Sequence, residues 1–322
     1  MNIISNTGER QLLRKFPILK SFSSIAKIEQ NRGERKMYEI VEKREEVPNI
    51  HRLIIREPNV AKKAKPGQFV ILMPDEKGER VPMSIVETKK DTFTIFMLEL
   101  GITTGKIANM HPGEKLYAVA GPLGQPAEIE YYGNVLLGGG CYGIGAIYPL
   151  AKALKAKGNR IVTIIEARSK YLIYLEEKLR IVSDEFYIAT SDGSRGTNGH
   201  VQTVLDRLIK NGHRFDHAKF IGCTYMMMNC SNITAPYRIP TRVALNTIML
   251  DGSGMCGCCR VSVGGKTKFA CVDGPEFDGH QVDWAELMKR KAAYQEAEMI
   301  SYQTSPHICR ALIENYFGES DE

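Results

Sequence analysis

Residues 134–158 read NVLLGGGCYGIGAIYPLAKALKAKG, and this stretch decides the class of fold. Its apolar beginning predicts a short buried strand, and the part from residue 146 to Gly158 has the period of a helix. Between them lies a glycine-rich turn, residues 138–145. Such a turn lets the backbone approach a pyrophosphate at a helix N-terminus, although glycines there also serve plain strand–helix packing.

Strands and helices continue to alternate beyond this turn. Runs rich in β-branched residues predict strands at residues 160–167, 185–190, 219–222 and 241–245, and helices are predicted at 172–183 and 200–212. This alternation is typical of a parallel, doubly wound sheet that is covered by helices on both faces.

The residues before the turn follow another pattern. Between residues 37 and 124, short runs rich in β-branched and aromatic residues are separated by turn residues such as Pro66-Gly67. Strands at this spacing predict a small antiparallel barrel. One predicted helix, at about residues 103–110, interrupts them.

We therefore expect four parts in the chain. They are a basic N-terminal extension at residues 1–36, a β-barrel at 37–130, an α/β domain at 131–245 and a cysteine-bearing segment at 246–322. The last segment also carries an amphipathic helix at residues 282–300 and a second helix near 308–316.

Composition and charge limit the classes of function. Hydrophobic residues make up 43% and charged residues 25%, as in an ordinary globular protein. No apolar run approaches the roughly 20 residues of a membrane helix, so we expect no membrane span. The formal net charge is +6, of which +5 falls within residues 1–36. This extension predicts a partner-docking arm or a tail, and we expect no nucleic-acid partner.

The sharpest chemical motif lies in residues 249–274, MLDGSGMCGCCRVSVGGKTKFACVDG, which hold four of the eight cysteines. Clustered cysteines in a long chain indicate metal binding in a reducing compartment, so we expect a cytoplasmic protein. Asp251, Cys256 and Cys259 have the C-x4-C-x2-C spacing of plant-type [2Fe-2S] proteins, with aspartate in the first position, and Cys271 supplies the fourth donor.

Two alternatives stay open for this motif. Four cysteines would also suit a tetrahedral zinc site, but the glycine-dense loop and the aspartate favour iron–sulfur. Cys258 lies between two proposed ligands and could replace Asp251, although we expect it to point away as a small packing residue. Because an aspartate ligand is a harder donor and can be protonated, we expect a cluster potential that differs from an all-cysteine site and varies with pH.

Weaker signals concern a nucleotide and a flavin. Glu166 ends the strand after the glycine turn, where an acidic residue binds the ribose 2′-OH of NAD, and Arg168 just beyond could receive a 2′-phosphate instead. We favour NAD(H). In the predicted barrel, Arg80 and Ser84 bracket a strand, and Thr103 begins the only helix, so these side chains could contact a phosphate and a flavin ring.

Together these motifs resemble the ferredoxin–NADP reductase superfamily. RVPMS, residues 80–84, looks like its Arg-x-[Tyr/Pro]-x-[Ser/Thr] flavin motif. The run LNTIMLDGSGMCGCCRVSVGGKTKFACVDGPEFDGH, residues 245–280, resembles the small subunits of NADH-dependent reduced ferredoxin:NADP oxidoreductases, an electron-bifurcating family also known as sulfide dehydrogenase. The resemblance covers residues 37–300.

The resemblance implies FAD in the barrel, NAD(H) in the α/β domain and a [2Fe-2S] cluster. No catalytic acid or base is implied, because hydride transfer to a flavin needs mainly orientation. The implied flavin-binding residues are Arg80, Pro82, Met83, Ser84, Gly101, Thr103 and Thr104. The implied NAD(P)-binding residues are Gly138, Gly139, Gly140, Gly143, Gly145, Glu166, Arg168, Gly222 and Met226. The implied cluster ligands are Asp251, Cys256, Cys259 and Cys271.

Two segments depart from the family pattern. The Gly-Pro-x-x-Met-Met motif that lines the nicotinamide reads GCTYMM at residues 222–227, so its proline is lost. Residues 228–243, MNCSNITAPYRIPTRV, look irregular where a helix is expected. Both departures fall in the nicotinamide half of the site, and neither touches the cluster motif.

The resemblance implies an electron-transfer flavoprotein subunit of a heterodimer, whose large partner carries its own flavin and [4Fe-4S] clusters and meets ferredoxin. Two other functions remain. One is an electron-transfer subunit of the dihydroorotate dehydrogenase type, which normally has cysteine in place of Asp251. The other is a relay or docking subunit without nicotinamide turnover.

Overall fold

The sequence runs predicted as strands between residues 37 and 124 form eight strands in two antiparallel sheets, five strands in one and three in the other. In β2 the side chains alternate, with Leu53 and Ile55 buried and Arg56 exposed, as expected of a strand with one face on a core. The strands are β1 Tyr38–Val47, β2 Ile50–Arg56, β3 Phe69–Met73, β4 Val81–Ser84, β5 Glu87–Lys89, β6 Thr92–Leu98, β7 Lys115–Leu116 and β8 Ala118–Leu123.

The computed structural model describes residues 37–294, 296–298 and 300, and from Tyr38 onward they belong to one compact unit. The basic extension at residues 1–36 and the helix predicted near 308–316 lie outside the described residues. Two helices accompany the barrel strands, α1 Pro58–Lys63 and α2 Ile102–Asn109.

A seven-stranded sheet follows, in the order β12-β11-β10-β9-β13-β14-β17. All neighbouring strands in it run parallel except the last pair, β14 and β17. The strands are β9 Asn134–Gly140, β10 Arg160–Ala167, β11 Glu185–Thr190, β12 Thr197–Asn198, β13 His217–Ile221, β14 Thr241–Ala244 and β17 Glu276–Asp278. The central strands are buried throughout, because helices cover both faces of the sheet.

Four helices cover this sheet, α3 Gly143–Ala156, α4 Glu176–Val182, α5 Val201–Lys210 and α6 Thr224–Thr234. Helices α3 and α4 pack on one face, and α5 and α6 on the other. The helix predicted from residue 172 begins only at Glu176, since Leu175 takes a left-handed φ of 56°. Helix α6 occupies residues 228–234 of the stretch that looks irregular in sequence, and a 3₁₀ turn at Ala235–Tyr237 follows it. A helix is therefore present at the start of this stretch, where the family pattern has one.

The cysteine-bearing segment folds as a β-hairpin, one strand that joins the seven-stranded sheet, and a helix. Strands β15 Arg260–Val263 and β16 Lys266–Phe269 pair antiparallel, and β17 joins the seven-stranded sheet. Helix α7 Trp284–Lys291 follows. The helix predicted at residues 282–300 is interrupted: a 3₁₀ turn at Ala292–Tyr294 ends α7, and residues 296–298 and 300 are helical again.

A buried ion pair fastens this segment to the sheet. The ammonium of Lys219 in β13 lies 2.6 Å from Oε2 of Glu276 in β17, and the lysine is fully buried. The same segment contributes Cys259, Cys271 and Phe277 to the apolar core beneath α5 and α6. The half of the cluster motif that carries Cys259 and Cys271 is therefore part of the sheet's core, while Asp251 and Cys256 are exposed.

The predicted fold is confirmed: an antiparallel barrel-like pair of sheets precedes a parallel sheet and a cysteine-bearing C-terminal segment. In the described part of the chain, none of the helices has the length and apolar character needed to cross a lipid bilayer.

We expect Lys219→Met to lower the free energy of unfolding by about 3 kcal/mol, because it strands the buried carboxylate of Glu276. Urea titration of the cofactor-loaded protein measures this loss. Lys210→Met is the matched control, since Lys210 also lies 2.6 Å from a carboxylate, that of Asp206, but on an exposed helix surface where ion pairs contribute little. Equal losses in the two variants would contradict the role given to the buried pair.

Candidate functional site

The parallel sheet has one topological switch point, between β9 and β13, where the strand order reverses. Ligands of such sheets bind at the carboxyl ends of the strands beside this point. The glycine-rich turn follows β9, and the loop at Gly222 follows β13, so the two predicted nucleotide segments meet there.

The glycine turn is held by close backbone contacts. A Cβ atom at Gly143 would overlap the carbonyl oxygen of Ile221, so only glycine fits where α3 begins. Cys141 takes a left-handed φ of 48° to make the turn. A Cβ at Gly222 would lie 2.7 Å from Cε of Met226, which packs under the loop.

One predicted phosphate donor is already engaged. The Gly145 N–H donates to the hydroxyl of Tyr174 at 3.1 Å, and this hydroxyl donates to the carbonyl of Cys141. A Cβ at Gly145 would lie 3.1 Å from the ring of Phe96 in the barrel, and that ring also packs on Tyr174, with their centroids 5.1 Å apart. The contact of Gly145 with Phe96 therefore joins the barrel to the seven-stranded sheet. The N–H of Gly145 is already bonded to Tyr174 and is not available to a phosphate.

Glu166 is not on the open surface of the site. It is 8% exposed, and its Oε2 accepts a hydrogen bond of 2.6 Å from the N–H of Val201 at the start of α5. Burial raises the pKa of this carboxyl. The carboxylate lies beneath Gly140, where a Cβ would come within 2.9 Å of its Oε1. This position suits a helix-capping role better than the predicted contact with a ribose.

Another carboxylate lies at the same edge of the sheet, and sequence reasoning missed it. Asp192 follows β11, and its N–H donates to the carbonyl of Arg168 at 3.1 Å. The pKa of Asp192 is lowered to about 2, mainly by a hydrogen bond from the Ser194 hydroxyl and then by one from the Ser194 N–H. Residues 190–194 read TSDGS directly after a predicted strand, and an Asp-Gly pair at that edge was the available signal.

The predicted flavin residues fall into two neighbouring groups on the barrel. In β4, Val81 and Met83 pack on the barrel core, so the alternate positions Arg80, Pro82 and Ser84 face the other way. Met83 therefore has only its backbone to offer a ligand on that face.

The N-terminus of α2 lies beside this strand. The hydroxyl of Thr103 donates to Glu79, next to Arg80, at 3.3 Å. Thr104 caps the helix by accepting from the N–H groups of Leu100 and Gly101 at 2.9 and 3.0 Å. A Cβ at Gly101 would meet open space. An exposed arginine, an open helix N-terminus and the exposed side chains of Leu100 and Ile102 make a surface that fits the phosphates and apolar ring of FAD.

The cluster loop, residues 251–259, is folded around the Asp251 carboxylate. Its Oδ1 accepts from the N–H of Ser253 at 2.8 Å and its Oδ2 from that of Cys256 at 3.1 Å. These bonds, Ser253 first, hold the pKa of Asp251 below its usual value. Gly252, Gly254 and Gly257 all take left-handed φ values, which let the loop curl this tightly.

The second half of the motif is assembled by the hairpin. Its turn is made by two glycines with positive φ, Gly264 and Gly265, which return the chain so that Cys259 and Cys271 stand side by side. Their sulfurs lie 3.2 Å apart, and both residues are buried. Burial raises the pKa of Cys271 to about 12.

The four predicted ligands thus form two pairs, Asp251 with Cys256 and Cys259 with Cys271. In the described residues, no three His, Cys, Asp or Glu side chains converge as a single metal ion would require. A cluster of two irons, each needing two protein donors, fits paired ligands better than one zinc ion does.

Cys258 is half-exposed and is not a core packing residue. Burial first, and then a hydrogen bond with Cys256, raises its pKa. Its carbonyl accepts a hydrogen bond of 3.1 Å from Arg290 in α7. Its thiol therefore lies beside Cys256, within reach of the predicted ligands.

Known proteins share this arrangement. The family described as the iron-sulfur cluster binding domain of dihydroorotate dehydrogenase B matches residues 246–283. A Thermotoga maritima relative, named dihydroorotate dehydrogenase B (NAD(+)), electron transfer subunit homolog, is 44% identical over 273 residues, which cover 84% of this chain and 96% of that protein. The chain belongs to this family of electron-transfer subunits. A Bacillus cereus electron transfer subunit of dihydroorotate dehydrogenase B is 32% identical over 251 residues, 74% of this chain and 94% of that one.

Solved structures agree with the family. One chain in a structure of the NADH-dependent reduced ferredoxin-NADP oxidoreductase, studied for flavin-based electron bifurcation, has a TM-score of 0.79 and 44% identity over 84% of this chain and 98% of that chain. A cytochrome P450 reductase from Amycolatopsis has a TM-score of 0.54 at 16% identity over 63% of this chain and 66% of that chain, which shows a shared fold alone.

These likenesses confirm the family resemblance found in the sequence. They also confirm the main functional prediction, that the chain is an electron-transfer subunit of an oxidoreductase. Family and fold together support FAD, a [2Fe-2S] cluster and NAD(H) as its cofactors. The family also implies a partner subunit. The roles of individual residues and the boundaries of the four parts stay predictions.

We expect Cys258→Ser to keep about two irons per chain and the electron paramagnetic resonance signal of a reduced [2Fe-2S] cluster. Asp251→Ala and Cys271→Ser are expected to lose most of the iron, because each removes one of four donors. Iron analysis and the low-temperature spectrum check both results. Iron loss in Cys258→Ser with retention in Asp251→Ala would make Cys258 the ligand.

Proposed function

We propose that this chain takes electrons from NADH and delivers them one at a time to a partner subunit. The observation that carries the proposal is that the barrel touches both other parts of the site. Phe96 packs on Gly145 of the glycine turn, and Gln125 binds the cluster segment through its N–H to Gly274 O at 2.6 Å and its amide to Val272 O at 2.8 Å. FAD and a [2Fe-2S] cluster would supply the conversion of a two-electron hydride into single electrons.

On the barrel, Arg80 and the N-terminus of α2 would hold the flavin's phosphates, and Ser84 would hydrogen-bond its ring. Pro82 lies on the same side of β4. Met83 packs beneath this surface, and Thr103 and the capping residue Thr104 would hold the start of α2 in place beside it. Gly101 leaves space for the pyrophosphate. Support comes from the alternation along β4 and the Glu79–Thr103 contact.

At the switch point, Gly140 ends β9 and would let the dinucleotide lie against the sheet edge. Gly138 and Gly139 would support this indirectly, since they leave room for the side chains of Phe220 and Ile147 that pack on β9. Gly143 keeps the turn closed on β13, and Gly222 with Met226 would line the nicotinamide. We assign the ribose diol to Asp192, whose carboxylate is ionised and exposed, in place of Glu166. A negative charge there repels a 2′-phosphate, which favours NAD(H) over NADP(H) despite Arg168 nearby.

The cluster would use Asp251 with Cys256 on one iron and Cys259 with Cys271 on the other. Around this loop the surface is unusually apolar: Met255 is 90% exposed, and Ile248, Leu250 and Val272 are exposed as well. Exposed apolar patches mark protein contacts. We therefore place the partner subunit against the cluster loop.

The proposed partner is a large subunit that carries its own flavin and [4Fe-4S] clusters and through which ferredoxin is reached. We propose a cytoplasmic complex, in keeping with four cysteines clustered within residues 256–271, a pattern that indicates metal binding in a reducing compartment. The division into residues 1–36, 37–130, 131–245 and 246–322 goes with this proposal, since each cofactor then has its own part of the chain.

A second candidate rests on the family match. An electron-transfer subunit for a dihydroorotate dehydrogenase would have the same barrel, sheet and cluster segment, and the relatives carry that name. It differs only in the partner and its substrate. Purification of the complex from the source cell identifies the partner and separates the two candidates.

Anaerobic titration with NADH tests the proposal. We expect NADH to bleach the flavin absorbance of the cofactor-loaded chain and to produce a reduced [2Fe-2S] resonance signal, with NADPH much less effective. Dithionite reduction of the same sample is the control for intact cofactors. Reduction by dithionite but by neither nucleotide would overturn the proposal in favour of a relay subunit.

We expect Asp192→Asn to lower kcat/KM for NADH about tenfold or more, as for loss of a hydrogen bond to a charged group, and to narrow the preference over NADPH. Glu166→Gln tests the alternative site and is expected to lower stability without changing the NADH:NADPH ratio, since its carboxyl is buried under the turn. Steady-state rates with both nucleotides decide between them. A changed ratio in Glu166→Gln alone would restore Glu166 as the ribose ligand.

A further inference from the structure

A hydrogen-bonded network clamps the two nucleotide loops together. The hydroxyl of Tyr142, in the glycine turn, donates to the carbonyl of Gly222 at 2.7 Å and accepts from the amide of Asn246 at 2.6 Å. Burial raises the pKa of Tyr142, so its hydroxyl keeps the proton that it donates. Asn246 lies just before the cluster loop, outside both nucleotide loops.

The network continues into α7, beyond the cluster. The hydroxyl of Thr224, the first residue of α6, donates to Oδ1 of Asn246 at 3.2 Å and accepts from the ammonium of Lys291 at 3.0 Å. The neighbouring Arg290 donates to the carbonyl of Cys258. The Gly222 loop is thus fastened on two sides by residues of the cluster-bearing segment.

This fastening occurs where the sequence lacks an expected stiffening residue. Position 223, proline in the family motif, is cysteine here, and its thiol only caps α6 by accepting from the N–H of Met226 at 3.4 Å. Its φ of −67° and ψ of 155° are values that proline adopts. The backbone has the conformation that proline would impose, but nothing in the local sequence imposes it.

We propose that Tyr142, Asn246 and Lys291 position the Gly222 loop for the nicotinamide, as a proline at position 223 would. The affinity for the nucleotide then depends on the cluster-bearing segment. They are positioning residues, because they act through Gly222 and Thr224. This inference rests on the proposed nicotinamide site at Gly222.

The test measures the equilibrium Kd of the oxidised, cofactor-loaded chain for NAD⁺, which would occupy the same site but, unlike NADH, cannot reduce the flavin. Flavin and iron content are confirmed for each variant. Tyr142→Phe removes two hydrogen bonds of the network and Lys291→Met removes one. Each is expected to weaken binding about tenfold, because these bonds order the loop. Lys289→Met is the matched control. It removes the same charge from an exposed site on the same helix.

Cys223→Pro provides the decisive rescue. Added to Tyr142→Phe or to Lys291→Met, it is expected to bring Kd back to within about threefold of the unmodified chain, because proline restricts the free loop to the required φ. A network that acted by charge on the nucleotide, or by direct contact with it, would not be rescued. Absence of rescue, or equal effects of Lys289→Met and Lys291→Met, overturns the inference.

Gly222→Ala separates this inference from the proposed function beneath it. The added methyl would press on Met226 and lie 3.2 Å from the N of Gly140, so it narrows the nicotinamide site directly. If Gly222→Ala leaves Kd unchanged, the proposed site itself is wrong. If it weakens NAD⁺ binding while Tyr142→Phe and Lys291→Met do not, the site stands and the network has no positioning role.

Discussion

The backbone of α3 begins so close to the end of β13 that no side chain fits between Gly143 and the carbonyl of Ile221. This contact fixes the distance between the glycine turn and the Gly222 loop, and every other part of the nucleotide site is built on that spacing. Because β9 and β13 are also hydrogen-bonded neighbours, the two loops are held both through the sheet and across it. The closest approach of the two loops is therefore set by backbone packing, and the side-chain network at Tyr142 acts on the Gly222 loop beyond this contact.

The cluster-bearing segment is held as firmly as the two loops, because it contributes a strand to the same sheet. Strand β17 extends the sheet, Lys219 and Glu276 pair inside it, and the two buried cysteines belong to its core. Electron transfer between cofactors depends on fixed separations, and a segment anchored by core residues cannot drift as a tethered domain would. The fold thus places the barrel, the sheet and the cluster loop in one body.

Much of this architecture was predictable, because the strand–turn–helix run at residues 134–158 and the cysteine spacing each have few physical solutions. The surroundings of Glu166 were not. Glu166 ends its strand as expected, but a capping bond to Val201, distant in sequence, draws its carboxylate inward, and this tertiary contact leaves no local signal. The departure at position 223 likewise looked disruptive, since its compensation comes from Asn246 and Lys291, which no local pattern connects with it.

The pairing of β17 with β14 also has a consequence for solubility. Without it, β14 would be the open edge of a sheet of parallel strands and would present a row of unpaired backbone groups to other chains. Strand β17 is three residues long and begins and ends with a carboxylate, which makes it a poor template for further strands. The segment that holds the cluster therefore also guards the sheet against edge-to-edge aggregation, so a shortened chain without it would lose more than its redox centre.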